Sequence, residues 1–267
     1  MSASPLRQVV PSPLARRDPT VKLALLTLVS LVALLVLDPV TPAVLYGLAL
    51  VGVAVATRAP ARTLLLAHVP FVAFAAGVLV VNALSRSGTL LAAAGPLVVT
   101  REGLALGVAL AARTLLVGVL ALGFVLSTDG VALMTSLHQH ARLGPRVTYA
   151  VLAGYRMLEE MPREWTLLQH AHAVRAPLRR DGRPALGPRH HLGVVFGLLV
   201  VSLRKGERMA QALESRGLGL APRTTWRPVP LTRGDAVLVV AVLAPLAAVL
   251  ATSAALGLLE GPGTLTR

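Results

Sequence analysis

Five long apolar stretches constrain this chain more than any other feature of its sequence. A helix needs about 20 apolar residues to cross the roughly 30 Å hydrocarbon core of a bilayer. The stretches cover residues 21–37, 40–57, 63–85, 103–128 and 236–259. Only 14% of the residues are charged, whereas soluble chains carry about 25%. The sequence therefore predicts an all-α membrane protein with about five transmembrane helices.

The same stretches predict how the chain is organised along its length. A further apolar run, Leu192 to Leu203, is too short for a span and suits a helix at the membrane interface. The predicted segments are a cytoplasmic N-terminal segment (1–19), a membrane domain of four spans (20–128), a cytoplasmic region of amphipathic helices (129–234), and a final span with its tail (235–267).

Positive charges in the short loops predict the orientation, because cytoplasmic loops carry an excess of Arg and Lys. The basic residues on the predicted inner side of the first three stretches are Arg7, Arg16, Arg17, Arg58 and Arg62. Residues 129–234 carry sixteen basic and seven acidic side chains. Arg86 and Arg101, in an outer loop, oppose this orientation. We expect a multi-pass protein of the cell membrane with its N-terminus inside.

Composition and motifs argue against several functions. The formal net charge is +14, but Lys22 and Lys205 are the only lysines among 26 basic residues, so the charge reflects Arg-rich composition and we predict no nucleic-acid partner. The chain contains no cysteine, which excludes thiolate metal sites and cysteine nucleophiles. It also lacks the G-x-x-x-x-G-K-[ST] loop that cradles phosphates. We predict no catalytic residue and no cofactor.

Three histidine pairs raise the question of a metal site. They are His138 and His140, His170 and His172, and His190 and His191. Residues two apart in sequence do not share a helix face, and all three pairs lie in a basic segment that repels cations. We therefore predict no metal ligands among them.

Pro and Gly divide the middle region into helices. Gly144 and Pro145 end one helix and start the next, Pro162 suits the first turn of another, and Pro177 ends it. After Pro162 an apolar residue recurs every third position. These residues, Trp165, Leu168, Ala171 and Val174, predict an apolar stripe. Such a helix packs on its own membrane domain, on a membrane surface or in a partner's groove.

Two of the predicted helices end in similar sequences. The first reads Ala173-Val174-Arg175-Ala176, and the second reads Ser215-Arg216-Gly217. An Arg in the last turn is favoured by the helix dipole, and a guanidinium there can bind a carboxylate through two hydrogen bonds. A small neighbour lets another backbone approach. The residues alone leave two interpretations open, a helix stop with a favourable charge and a partner-binding end.

These two arginines, forty-one positions apart, resemble the coupling motifs of the transmembrane T component of energy-coupling-factor (ECF) transporters, the EcfT and CbiQ family. Further similar pieces are Arg17-Asp18-Pro19-Thr20-Val21-Lys22, Gly103-Leu104-Ala105-Leu106-Gly107, Ser127-Thr128-Asp129 and Tyr155-Arg156-Met157-Leu158. The family pattern at both motifs is close to Ala-Arg-Gly, so Val174 is the larger departure.

The resemblance implies a non-catalytic subunit of an ECF-type ABC importer. Two cytoplasmic ATP-binding subunits would bind the two helix ends, and each Arg would reach an acidic residue. The resulting motion would pass to a membrane-embedded S component that captures a vitamin or a cobalt or nickel ion.

Other interpretations remain open from the sequence. Arg113 lies in the middle of the fourth stretch, and an intramembrane charge serves either a structural pair or a partner contact. The permease of an ordinary ABC importer is one alternative function. An intramembrane prenyl-protein-type protease is another, suggested by Glu159, Glu160 and Arg163, although two residues separate the Glu pair from Arg163 where that family has three.

Single cysteines test the predicted orientation. We predict that a cysteine at Ser4 is protected from an impermeant thiol reagent on intact cells, whereas a cysteine at Thr264 is labelled. The unmodified protein has no cysteine and serves as the blank, and permeabilised cells show that the Ser4 site reacts. The reverse labelling pattern would contradict the orientation.

Overall fold

The computed structural model describes residues 12–94, 97–177, 187–220 and 228–258. Within them the chain forms α1 (Pro19–Leu34), α2 (Val40–Thr57), α3 (Ala61–Ser85), β1 (Leu90–Ala94), β2 (Leu97–Thr100), α4 (Arg101–Ser127), α5 (Gly130–His140), α6 (Pro145–Val174), α7 (Pro188–Ser215) and α8 (Arg233–Ala255). The helices form two compact units. Of the described residues, the membrane unit comprises 12–94, 97–129 and 230–258, and the middle unit comprises 130–177, 187–220 and 228–229.

The predicted all-α membrane protein is confirmed. Four helices, α2, α3, α4 and α8, are long and apolar enough to cross a bilayer. The fifth apolar helix, α1, has 16 residues and is therefore only about 24 Å long. It ends before Asp38, whose Oδ1 instead accepts hydrogen bonds from the N–H groups of Val40 and Thr41 at the start of α2, at 3.1 and 2.7 Å.

The core of the membrane unit lies where α1, α2, α4 and α8 meet. Val29 and Ala33 of α1 pack there with Leu45, Leu116 and Leu246. Thr41 of α2 and Ser253 of α8, both buried, are hydrogen-bonded through their hydroxyl oxygens at 2.6 Å. Apolar packing and this polar contact together hold the four helices.

Small residues bring α3 and α4 close together. A Cβ atom added at Gly103 would lie 2.7 Å from the carbonyl oxygen of Asn82, and one at Gly107 would lie 3.0 Å from that of Leu79. Close approach through small residues is the usual way in which helices associate in a bilayer, where apolar burial gives little driving force. These glycines therefore set the distance between the two backbones.

A polar cluster, buried except for its Thr232, joins three helix ends in the membrane unit. Lys22 Nζ donates to the carbonyl oxygen and to Oγ of Ser127, the last residue of α4, at 2.8 and 3.3 Å. The N–H of Asp18, the N-cap of α1, donates to Asp235 Oδ1 at 2.8 Å. Asp235 Oδ2 accepts from the N–H and Oγ1 of Thr232, which caps α8. We call these five residues the root cluster.

In the middle unit, α6 and α7 form an antiparallel pair. Lys205 forms salt bridges with Glu160 at 3.0 Å and with Glu164 at 2.6 Å. A Cβ atom added at Gly197 would lie 3.4 Å from Leu168 Cδ2. Later residues of α6 thus lie beside earlier residues of α7, so the two helices run in opposite directions.

The prediction that Pro162 begins a helix is wrong, because Pro162 lies inside α6. A proline within a helix removes one backbone hydrogen bond and strains the preceding turn. Contacts with α7 lie on both sides of the proline, at Glu160 and at Glu164. Tertiary packing therefore keeps the helix continuous. The boundary at Gly144 and Pro145 is confirmed, because Gly144 is the N-cap of α6.

The predicted apolar stripe on α6 does not stay on one face. Residues three apart in a helix are rotated by about 60° from perfect alignment, so four of them drift by about 180°. Leu168 faces α7 at Gly197, whereas Val174 is 87% exposed. The stripe therefore contributes to the helix pair at its middle and leaves the end of α6 uncovered.

A glycine substitution tests the close packing of α3 and α4. We predict that Gly103→Ala lowers the free energy of unfolding by about 1–3 kcal/mol, because the added methyl group overlaps a backbone carbonyl that cannot rotate away. The readout is the temperature at which purified protein in detergent loses its monodisperse size-exclusion peak.

Gly77→Ala in α3 is the matched control, since nothing lies within 4 Å of a Cβ atom there. Alanine is the better helix former by about 1 kcal/mol, so this control is expected to be neutral or stabilising. An equally stable Gly103→Ala protein would contradict the packing argument.

Candidate coupling surface

The end of α7 is a Schellman motif, a helix stop in which two hydrogen bonds close a left-handed turn. Gly217 N–H donates to the Glu214 carbonyl at 2.9 Å, and Leu218 N–H donates to the Leu213 carbonyl at 3.0 Å. Gly217 has φ +76°, a conformation that costs little only for glycine. Arg216 is the C-cap residue. The motif therefore places Arg216 at a blunt, well-defined end.

The end of α6 also places an arginine at the C-cap, but without a following glycine. Arg175 is the C-cap residue, and its N–H donates to the carbonyl of His172 at 3.2 Å. Ala176 N–H donates to the Ala173 carbonyl, also at 3.2 Å. This tightened last turn is followed by Pro177, which cannot continue a helix. Both predicted arginines thus occupy the same position at the end of a long helix.

Both guanidinium groups are available to a partner. Arg175 and Arg216 are exposed, and within the described parts of the chain the salt bridges involve neither of them. The Ser215 hydroxyl donates to its own helix at the Ala212 carbonyl, so it does not compete for an incoming group. Val174, which departs from the small-residue pattern, is 87% exposed and belongs to the same exposed end as Arg175.

The antiparallel arrangement separates the two arginines widely. The rings of His172, near the end of α6, and His190, near the start of α7, have centroids 5.7 Å apart. From His190 to Arg216, α7 rises roughly 40 Å at about 1.5 Å per residue. Gly219, just beyond Arg216, lies against Arg146 near the start of α6. Arg175 and Arg216 therefore mark opposite ends of one helix pair.

One face of α7 exposes large apolar side chains. They are Leu192, Val195, Phe196, Leu199 and Leu203, each at least half exposed. Their spacing of three and four residues places them along one side of the helix. An exposed apolar face of this kind is typical of a helix that a membrane surface or a partner covers.

The sequence analysis did not identify the salt bridges between α6 and α7. Lys205 is one of two lysines in the chain and bridges Glu160 and Glu164, which lie one helical turn apart. The hydrogen bond to Glu164 and, to a smaller extent, the one to Glu160 raise the pKa of Lys205 above its ordinary value. Its contribution to stability is therefore lost only as the pH rises through that raised pKa. The four-residue spacing of Glu160 and Glu164 was the sequence signal that could have indicated a shared basic partner.

Arg113 lies in the membrane unit, and the three histidine pairs lie in the middle unit. Arg113 is half-buried in the middle of α4, and no hydrogen bond or ion pair joins it to the described residues. The rings of His190 and His191 have centroids 5.5 Å apart. No group of three potential ligands able to hold a metal ion occurs within the described residues, and the absence of a metal site stays a prediction.

An apolar cavity of about 260 Å³ lies within the membrane unit. Residues of α1, α2, α4 and α8 line it, and Lys22 is the charged residue among them. Its remaining lining is almost entirely leucine, valine, alanine and glycine. Such a lining suits hydrocarbon better than a polar solute.

Two comparisons with known proteins identify the family of this chain. The family model described as cobalt transport protein, CbiQ, matches residues 11–226. The energy-coupling factor transporter transmembrane protein EcfT of Heliobacterium modesticaldum is 28% identical over 247 residues, which cover 89% of this chain and 92% of that protein. The chain therefore belongs to the CbiQ and EcfT family, the transmembrane components of ECF transporters.

Proposed function

We propose that this protein is the coupling subunit of an ECF-type ABC importer. It binds two cytoplasmic ATP-binding subunits and passes their ATP-driven motion to a membrane-embedded S component that takes up a vitamin or a cobalt or nickel ion. The observation that carries this proposal is the position of Arg175 and Arg216, two exposed helix-end arginines at opposite ends of an antiparallel pair. The family membership supports it.

The separation of the arginines favours two binding sites. A gap of roughly 40 Å is about the diameter of a small domain or larger, so one compact surface does not reach both ends easily. Two ATP-binding subunits, one at each end, satisfy the geometry. When they approach or separate during the ATP cycle, they push or pull on the two ends of a stiff helix pair.

Each helix end offers a charged group with little steric hindrance. In the first end, Ala173, Val174 and Ala176 flank Arg175, and in the second end Ser215 and Gly217 flank Arg216. A guanidinium can form two parallel hydrogen bonds with a carboxylate. We propose that each arginine binds an acidic residue in a groove of an ATP-binding subunit.

The remaining surfaces have roles in the same scheme. The exposed apolar face of α7 is proposed to contact the S component or the bilayer surface. Arg113, mid-span in α4, is proposed to contribute a structural or S-component contact. The protein itself is proposed to be non-catalytic, with ATP hydrolysis on its partners, since its sequence has no phosphate-binding loop.

Co-purification tests the proposed assembly. We expect tagged protein to bring down two ATP-binding subunits, identical or different, together with one small membrane protein. Mass spectrometry identifies them, and the solute retained by the membrane protein identifies the cargo. Recovery of the ATP-binding subunits with a soluble solute-binding protein instead would favour the permease of an ordinary ABC importer. Purification of the protein without any ATP-binding subunit would contradict the proposal.

Arginine substitutions test the coupling contacts. Removal of one partner from a buried charge pair costs about 2–5 kcal/mol, because the other charge is left unpaired. We predict that Arg175→Ala and Arg216→Ala each weaken uptake of the identified cargo, and that the double variant abolishes it. Uptake into proteoliposomes is measured at equal amounts of complex, together with ATP hydrolysis.

Two exposed arginines elsewhere on the same helices serve as matched controls. Arg163→Ala in α6 and Arg208→Ala in α7 remove the same charge away from the helix ends and are expected to leave uptake within about two-fold, as surface substitutions usually do. If the double variant transports like the unmodified protein, both arginines serve only as helix ends, each worth about 0.3–1 kcal/mol through the helix dipole.

A further inference from the structure

The root cluster lies at both connections between the membrane unit and the middle unit. The chain leaves the membrane unit after Asp129 and returns at Pro230. Ser127 precedes the first connection by two residues, and Thr232 follows the second by two residues. The cluster therefore holds the chain on the membrane side of both links, although Ser127 and Thr232 are 105 positions apart in the sequence.

The first turns of α1 supply the groups that hold both links. Lys22 binds Ser127 at the end of α4, and Asp18 binds Asp235 at the start of α8. Lys22 also donates to the Leu14 carbonyl at 3.3 Å, so its three hydrogen bonds all go to neutral oxygen atoms. A cation at the C-terminal end of a helix is favoured by the exposed carbonyls and the helix dipole.

Burial makes these contacts stiff. Asp18, Lys22, Ser127 and Asp235 are each at most 6% exposed. Hydrogen bonds of buried charged groups are stronger than those in water, and a group left without its partner is costly. A displacement applied at either link is therefore resisted at the cluster and has to move whole helices.

We infer that the root cluster is the anchor through which movement of the middle unit turns α1, α4 and α8, with Lys22 and Asp235 as positioning residues. The inference rests on the proposed function, since it needs ATP-driven movement of the middle unit. Without the cluster, the two links would lengthen or bend, and the ATP cycle would run without moving the membrane helices.

A reporter cysteine tests this inference without knowledge of the cargo. Ser253 of α8 is buried and hydrogen-bonded to Thr41, and α8 places it about 30 Å along the helix from Asp235 at about 1.5 Å per residue. The unmodified chain has no cysteine, so the cysteine introduced by Ser253→Cys is the single reactive thiol of this subunit. It is labelled with N-ethylmaleimide in the complex of this protein with its ATP-binding subunits. Labelling rates are compared with and without ATP and vanadate.

We expect nucleotide to change the labelling rate of the reporter protein by about five-fold or more, the size of an ordinary coupling between distant sites. Lys22→Met should remove this change while ATP hydrolysis by the assembled complex continues. Lys22→Arg, which keeps a charged donor, should restore part of it. Thr27→Val is the matched control, because Thr27 lies in the same helix and donates only to its own helix at the Leu23 carbonyl.

The outcomes separate this inference from the proposed function. If the reporter protein itself shows no nucleotide response, the proposed function fails, and the role of the cluster fails with it. If the response is present and persists in Lys22→Met, only the role of the cluster is refuted. If the Lys22→Met complex does not assemble, Asp235→Asn takes its place, because it retains the size of the side chain. A nucleotide response that persists in Asp235→Asn refutes the role of the cluster, and a response that is lost supports it.

Discussion

The hydrocarbon core of the bilayer is the constraint on which this structure depends. A backbone there has no water to satisfy its N–H and C=O groups, so the chain crosses as helices and leaves its unpaired groups at the helix ends. Several buried polar residues of the membrane unit accordingly lie at helix ends. Lys22 binds the end of α4, Asp18 caps α1, and Asp235 with Thr232 caps α8. The same requirement that builds the helices thus creates the places where they are joined.

Each long helix of the middle unit ends at a defined stop with an exposed arginine. Its long helices lie side by side, with Lys205 bridging Glu160 and Glu164. Arg175 and Arg216 close those ends, one with a proline and one with a glycine in a left-handed turn. A helix transmits an axial force well because each turn is hydrogen-bonded to the next. Under the proposed function, this antiparallel pair, with a charged group at each far end, receives forces from two partners.

Local rules accounted for much of the fold. Four of the five predicted spans became helices of spanning length, and Gly144 with Pro145 marked a true boundary. Of the three errors, one came from long-range contacts and two from local geometry. Pro162 lies inside α6 because contacts to α7 on both sides keep the helix continuous. The apolar stripe turned away from its face because a three-residue repeat does not match the 3.6-residue turn. The first span ended early, at Leu34, and Asp38 instead accepts hydrogen bonds from the first turn of α2.

The sequence by itself determined that this protein resides in a lipid bilayer, how many apolar helices it has, and where the two arginine-containing helices end. These properties follow from hydropathy, turn residues and helix stops, which act over a few neighbouring positions. Only the tertiary structure decided that α6 and α7 run antiparallel, which places Arg175 and Arg216 at opposite ends of one pair rather than side by side. It alone also brought Lys22 to Ser127 and Asp18 to Asp235, 105 and 217 positions apart. Pairing over such distances depends on how whole helices pack, and no local pattern encodes it.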